Sequence, residues 1–250
     1  MPATLIMLEK VFLWFLFYSF VGWVWETVLN IVMKKRFVDR GMLNGPLCPI
    51  YGFGAMIVLF ALADEHVWYV VFLSGGVLAC TLEYLTSWGI EKLFHVRFWD
   101  YSKKPFNING RVYLNGFLFF GFGAMAVKLW VQPQVLRVLD MFTPMALTIT
   151  SISLLAILLV DFAVTLAGLM KMTNSLGRVE QEIKQLKQRQ IKVLDVGITD
   201  VDEHVEAAEQ RVHDALSYQQ RRFIKAYPQF QSMQHPMHVV EQARKLLMRH

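Results

Sequence analysis

Five long apolar runs crowd into the first 172 residues, and they limit what this chain can fold into more than any other feature. They lie at roughly 10–33, 47–64, 66–90, 114–131 and 144–171. A hydrocarbon core about 30 Å thick needs about 20 mostly apolar residues per crossing helix. The runs are continuous and do not alternate with period two, which argues against a β-barrel. The first run is too long for a cleaved leader and has no basic start, so it reads as a retained helix. Residues 173–250 are polar and charged. The expected architecture is all-α: a polytopic membrane helix bundle of about five spans over 1–172, then a cytoplasmic helical or coiled-coil tail over 173–250.

Lys and Arg in short loops set orientation. The first loop carries Lys34, Lys35, Arg36 and Arg40, and the third carries Lys92, Arg97, Lys103, Lys104 and Arg111. The second has Asp64, Glu65 and His66 without Lys or Arg. Loops one and three therefore read as cytoplasmic, the N-terminus as outside, and the tail as cytoplasmic. The net charge of +5 largely reflects these loops, and nucleic acid is not an expected partner. Cys48 and Cys80 both fall in apolar segments. They offer neither a disulfide framework nor a zinc spacing, and read as small packing residues.

A sentence of sequence is written twice. RGMLNGPLCPIYGFGAM at 40–56 and RVYLNGFLFFGFGAM at 111–125 share R-x-x-L-N-G and G-F-G-A-M. Glu26 and Glu83, Lys35 and Lys92, Phe37 and Phe94, and Arg40 and Arg97 are each separated by 57 positions. We read a duplicated helical hairpin, repeat one at about 10–64 and repeat two at about 66–131, with a further span at about 144–171. The second copy inserts WDYSKKPFNINGR. Gly52, Gly54, Gly121 and Gly123 would let a neighbouring backbone approach closely. Asn44 and Asn115 would bond loop backbone at re-entry. Pro46 and Pro49 bar a regular helix start, so NGPLCPIYG reads as either a re-entrant entry or a kinked helix beginning.

Glu26, Glu83 and Asp161 fall in one layer of the inner half, Asp161 about 6 Å past the centre of its span. A charge at bilayer centre costs about 2.5–3.5 kcal/mol on insertion scales, so such groups face an interior and usually a partner. Arg40, Arg97 and Arg111 are the expected partners. The arrangement reads either as a polar cavity opening to the cytoplasm or as ion pairs locking the hairpins. Glu91 reads as solvated. The inserted loop mixes Trp99, Tyr101 and Phe106 with Asp100, Asn107, Asn109 and Arg111, as an interfacial loop or a lid would.

The run RGMLNGPLCPIYGFGA, the Glu of the first span, LEY in the third and WDYSKKPFNINGR resemble the ABC-transporter type IV, or CmpB-like, permease family over roughly residues 10–135. Members are bacterial integral membrane proteins whose name implies a permease role. The resemblance places motif positions on Glu26, Arg40, Gly41, Gly45, Pro46, Cys48, Pro49, Tyr51, Gly52, Glu83, Trp99, Asp100, Tyr101, Asn107, Asn109, Gly110 and Arg111. Asp39 stands where Asn is expected. The tail looks like this chain's own addition.

In the tail, Leu176, Val179, Ile183, Leu186, Gln190 and Val193 follow 3-4 spacing, a short coiled-coil seam. Gly197 interrupts it. Thr199 with Asp202, or Asp200 with Glu203, offers a helix start. Val201, Val205, Ala208, Val212, Ala215 and Gln219 carry a second helix to Pro228. A last amphipathic helix over roughly 237–249 puts Val240, Ala243 and Leu247 on one face. These helices would zip two protomers, fold back on themselves, or bind a partner. Pro236 spoils His235-x-x-His238 as a metal pair.

The leading reading is a transporter permease of the bacterial inner membrane that moves a polar or cationic solute. No P-loop is present, so any ATPase is a separate chain. Four spans in the repeat are few for a pathway, so a homodimer is expected. No cofactor or metal is read. Pathway candidates are Glu26, Arg40, Asn44, Tyr51, Glu83, Trp99, Asp100, Tyr101, Asn107, Asn109, Arg111, Asn115 and Asp161. One alternative is a membrane-embedded enzyme acting on lipid headgroups through Asp100, Glu83 and Arg111, although no recognised catalytic spacing supports it. Another is a scaffold or sensor acting through the tail.

Overall fold

The computed structural model describes residues 2–35, 41–196 and 209–248. The helices are α1 (Ala3–Lys34), α2 (Pro49–Ala61), α3 (Trp68–Phe94), α4 (Leu114–Met125), α5 (Gln132–Asp140), α6 (Pro144–Met170), α7 (Met172–Val196), α8 (209–215), α9 (Tyr218–Ala226) and α10 (Met237–Leu247). Val96–Arg97 (β1) pairs antiparallel with Gln231–Ser232 (β2). The chain divides into two compact units, and the divisions fall just after Trp88, Trp99 and Ala163.

The first unit comprises Met1–Trp88 and Asp100–Ala163. Among the described residues four helical stretches are long and apolar enough to cross a membrane: Ala3–Val32, Trp68–Phe94, Leu114–Asp140 and Pro144–Met170. The expected fifth, at 47–64, is a 13-residue helix, about 20 Å long at 1.5 Å per residue. Pro46 and Pro49 hold its start back to residue 49. The span expected to end at 131 instead continues to 140 through a π-helical turn at Ala126–Val131. Pro133 explains the turn. It lacks an N–H and its ring would meet the carbonyl four residues back. Widening the ladder relieves that clash, and the Gln132 N–H bonds Val127 O, five residues back. Tyr18 OH donates to the buried Gln132 Oε1 at 2.7 Å.

Glycine decides how closely helices approach, but only at some positions. A Cβ on Gly52 would lie 2.6 Å from the Phe15 carbonyl oxygen, and one on Gly121 would lie 2.9 Å from the Phe72 carbonyl oxygen. Gly54 and Gly123 do not serve this purpose, contrary to expectation. A Cβ on Gly54 would make an ordinary 3.7 Å contact with Leu82, and one on Gly123 would meet nothing within 4 Å. Residues two apart on a helix lie about 200° round from each other, so one glycine of each pair faces away. Beside them, the Phe15 and Phe53 rings lie 4.9 Å apart, and the Phe72 and Phe122 rings also lie 4.9 Å apart.

The second unit comprises Gly89–Trp99 and Val164–His250. Leu176, Val179 and Ile183 are buried, and α10 packs on both α7 and α9. The fold-back arrangement therefore occupies this part of the 3-4 seam. Leu186, Gln190 and Val193 lie where side chains are not described, and Gly197 through Ala208 lie outside the described residues. α10 buries Val240, Ala243 and Leu247 as expected. The helix expected to run on to Pro228 breaks at 216–217. Ser217 and Gln220 form a capping box there, each side chain bonding the other's backbone N–H. The first part of the third loop joins this unit: Phe98 is 4% exposed and meets Phe223, Tyr227 and Phe230 edge-on, ring centroids 4.9–5.4 Å away.

His235 ties the segment before α10 to α7. Its Nδ1 lies 2.9 Å from Glu180 Oε2 and its Nε2 lies 2.9 Å from the Thr173 carbonyl oxygen. Both neighbours are acceptors, so both contacts are satisfied only when both nitrogens carry protons. Lys184, then His235, hold the Glu180 carboxyl below its ordinary value. A depressed carboxylate contributes stability that is complete above its unfolded value, roughly 4.3, and is lost as pH falls through the folded value. Amide exchange at 173–184 and 232–240 is therefore expected to speed up below that range. Glu180→Gln should remove the acid-dependent part of the effect.

Candidate functional site

The site begins in the middle of α1. Ser19 donates its hydroxyl to Phe15 O, and the Ser19 carbonyl accepts the Cys48 N–H at 2.9 Å. The non-helical segment 41–48 therefore reaches the middle of a membrane-length helix before α2 begins. Leu43 on this segment is 1% exposed. Backbone at such depth needs internal partners, and Asp161 of α6 supplies them. Its Oδ1 accepts the Asn44 N–H at 2.8 Å and Asn44 Nδ2 at 2.9 Å, and its Oδ2 accepts the Gly45 N–H at 2.7 Å. Asp161 thus braces the non-helical backbone before α2; none of these three partners is the arginine that the sequence led us to expect. Asp161→Ala orphans two backbone donors and is expected to cost roughly 2–4 kcal/mol. Thermal unfolding in detergent checks this, with Asp161→Asn falling between it and the native chain.

Tyr51, in the first turn of α2, packs against Gly22, where any Cβ would overlap its ring. Its hydroxyl donates to Glu26 Oε1 at 2.7 Å. Glu83 of α3 lies within electrostatic reach of both Glu26 and Tyr51. It is 8% exposed. Tyr101 OH approaches Glu83 Oε1 at 3.5 Å, a long contact, and Tyr101 stacks on Tyr113 at 4.6 Å. Among the described residues, Glu83 Oε2 has no hydrogen-bond donor. A Cβ on Gly116 would sit 3.9 Å from that oxygen, so α4 presents bare backbone there. Each matched carboxylate thus faces a tyrosine hydroxyl, Glu26 that of Tyr51 and Glu83 that of Tyr101.

The inserted loop is braced against α3. Asp100 Oδ1 accepts the Ser102 N–H at 2.9 Å and the Ser102 hydroxyl at 2.5 Å. Asn107 bonds Lys104 O and the Gly110 N–H. Gly110 has φ +66°, and a Cβ there would lie 3.1 Å from Ser102 N, so only glycine fits. Asn109 donates to Tyr84 OH at 2.9 Å. Arg111, 6% exposed, donates to Ser87 Oγ at 3.1 Å and lies over the Tyr84 ring at 5.6 Å. These contacts give Asp100, Asn107, Asn109 and Arg111 loop-shaping roles.

Other expected residues lie elsewhere. Arg97 pairs with Glu91 at 3.1 Å in the second unit, so that carboxylate has a basic partner and is not simply solvated. Trp99 also belongs to the second unit. Asn115 is exposed in the first turn of α4. Arg40 lies outside the described residues. Tyr84 and Ser87 went unrecognised in the sequence. Ser87 sits one helical turn after Glu83, a signal that i, i+4 spacing could have supplied.

Residues 13–166 match the family described as "Putative ABC-transporter type IV". The chain belongs to that family. The match runs beyond the stretch that carried the resemblance, taking in most of α6 and Asp161. The ABC-transporter type IV match thus holds every residue of the polar interior and stops short of α7. No curated protein and no solved structure matches the chain.

Proposed function

We propose that this chain is the membrane component of a transporter that moves a polar or cationic solute, with ATP hydrolysis on a separate subunit. One observation carries the reading: the non-helical segment before α2 delivers Tyr51 to Glu26 at 2.7 Å, in electrostatic reach of the buried Glu83. Intramembrane carboxylates at broken-helix entries are the chemistry of solute pathways. The family's description supports the same direction.

In this reading the polypeptide crosses five times. The second crossing combines the non-helical segment 41–48 with α2. Positive loops then put the N-terminus outside and the tail in the cytoplasm of a bacterial inner membrane. The two-copy reading is supported by matched contacts. Phe15 and Phe72 share the 57-residue spacing of Glu26 and Glu83, and each meets the Phe and the first Gly of its own G-F-G-A-M. Two chains together would supply enough helices to enclose a pathway.

The test is purification of tail-tagged full-length protein in mild detergent, followed by mass spectrometry of what accompanies it. A stoichiometric ATP-binding subunit is expected. A clean homo-oligomer from cells that express all native partners would contradict the ATP-driven reading.

A further inference from the structure

We infer that Glu83, with Glu26 and the hydroxyls of Tyr51 and Tyr101, forms a binding site for a small monovalent cation of the alkali-metal or ammonium type. This rests on the transporter reading and names its substrate or coupling ion. The donor set argues for it. Glu83 is more than nine-tenths buried, and among the described residues its Oε2 has no donor. A buried carboxylate oxygen without a partner is costly, and a cation removes that cost. The oxygens these side chains offer are Glu83 Oε2, the Glu26 carboxylate that Tyr51 orients, and the Tyr101 hydroxyl, 3.5 Å from Glu83 Oε1. Gly116 leaves space beside Oε2. Among the described residues, Arg111 donates to Ser87 Oγ and lies over the Tyr84 ring.

The ligand count argues against calcium or magnesium. Calcium takes six to eight oxygens and magnesium demands an octahedron. Among the described residues no three His, Cys, Asp or Glu side chains gather anywhere. The side chains named here, two carboxylates and two hydroxyls with one oxygen of each carboxylate already facing a tyrosine, fall short of either shell. A primary ammonium brings three donors to such acceptors.

Thermal unfolding of the full-length protein in detergent tests the site. Sodium, potassium, ammonium and methylammonium chlorides are compared with N-methylglucamine chloride at constant ionic strength. At least one cation is expected to raise the unfolding temperature saturably. Glu83→Gln should abolish that shift, Glu83→Asp should move its midpoint tenfold or more, and Glu91→Gln should leave it unchanged. The pattern of ions separates an inorganic from an organic cation. Equal unfolding temperatures in all salts would overturn the proposal, as would a shift that survives Glu83→Gln. So would stabilisation that follows acidity alone. If Glu83→Gln fails to fold, the Glu83→Asp midpoint decides. A co-purifying ATPase without cation dependence would sink this site and spare the transporter reading. Cation dependence without an ATPase would sink the ATP-driven reading and spare the site.

Discussion

Gly52→Ala and Gly121→Ala are each expected to destabilise the first unit, while Gly54→Ala and Gly123→Ala leave it unchanged or slightly more stable. A new methyl at Gly52 would press on Ser19 and on the Phe15 backbone, and at Gly121 on Phe72 ring and backbone atoms. Backbone cannot swing aside as a flexible side chain can. Overpacking of this kind costs typically 1–3 kcal/mol, and occasionally more. At Gly54 and Gly123 the space is open or ordinary. Alanine there gains up to about 1 kcal/mol of helix propensity. Unfolding temperatures of the four variants in one detergent settle the comparison. An equal loss at all four would mean that the helix pairs are not packed as described.

Phe98→Ala is the second large effect. Phe98 is 4% exposed, and Phe223 and Phe230 beside it are exposed by 0% and 2%. Truncating a buried Phe costs about 3–5 kcal/mol. The loss should fall on the second unit, so protease cutting within 209–248 is expected to accelerate well before the first unit changes. Phe98→Leu should recover much of the difference. Val96 and Arg97 pair with the strand at Gln231–Ser232, so the same cut pattern should follow from disrupting either strand.

Periodicity and composition made the broad fold legible. The apolar runs located α1, α3 and α6, and the amphipathic pattern located α10. The boundaries that shifted have local causes: Pro49 delays α2, Pro133 turns a helix end into a π-helical passage, and the Ser217–Gln220 box splits a helix. The carboxylates were legible because charge is costly in apolar runs. Their partners were not, because pairing depends on which backbone passes nearby. Asp161 holds the backbone of Asn44 and Gly45, 116–117 positions away. Arg97 points instead to Glu91, in the second unit. No local spacing announces such contacts. The Phe98 cluster was hidden for the same reason, since its aromatic partners lie more than 120 positions along the chain.

The most direct test of the central claim is uptake into vesicles. Liposomes carrying the purified chain with its co-purified ATP-binding subunit are given ATP and each of the same four cations in isotopic form. The account predicts ATP-dependent accumulation of at least one cation above empty liposomes, lost in Glu83→Gln and kept in Glu91→Gln. Accumulation no greater than in empty liposomes for every cation, or a Glu83→Gln protein that transports like the native one, would contradict it.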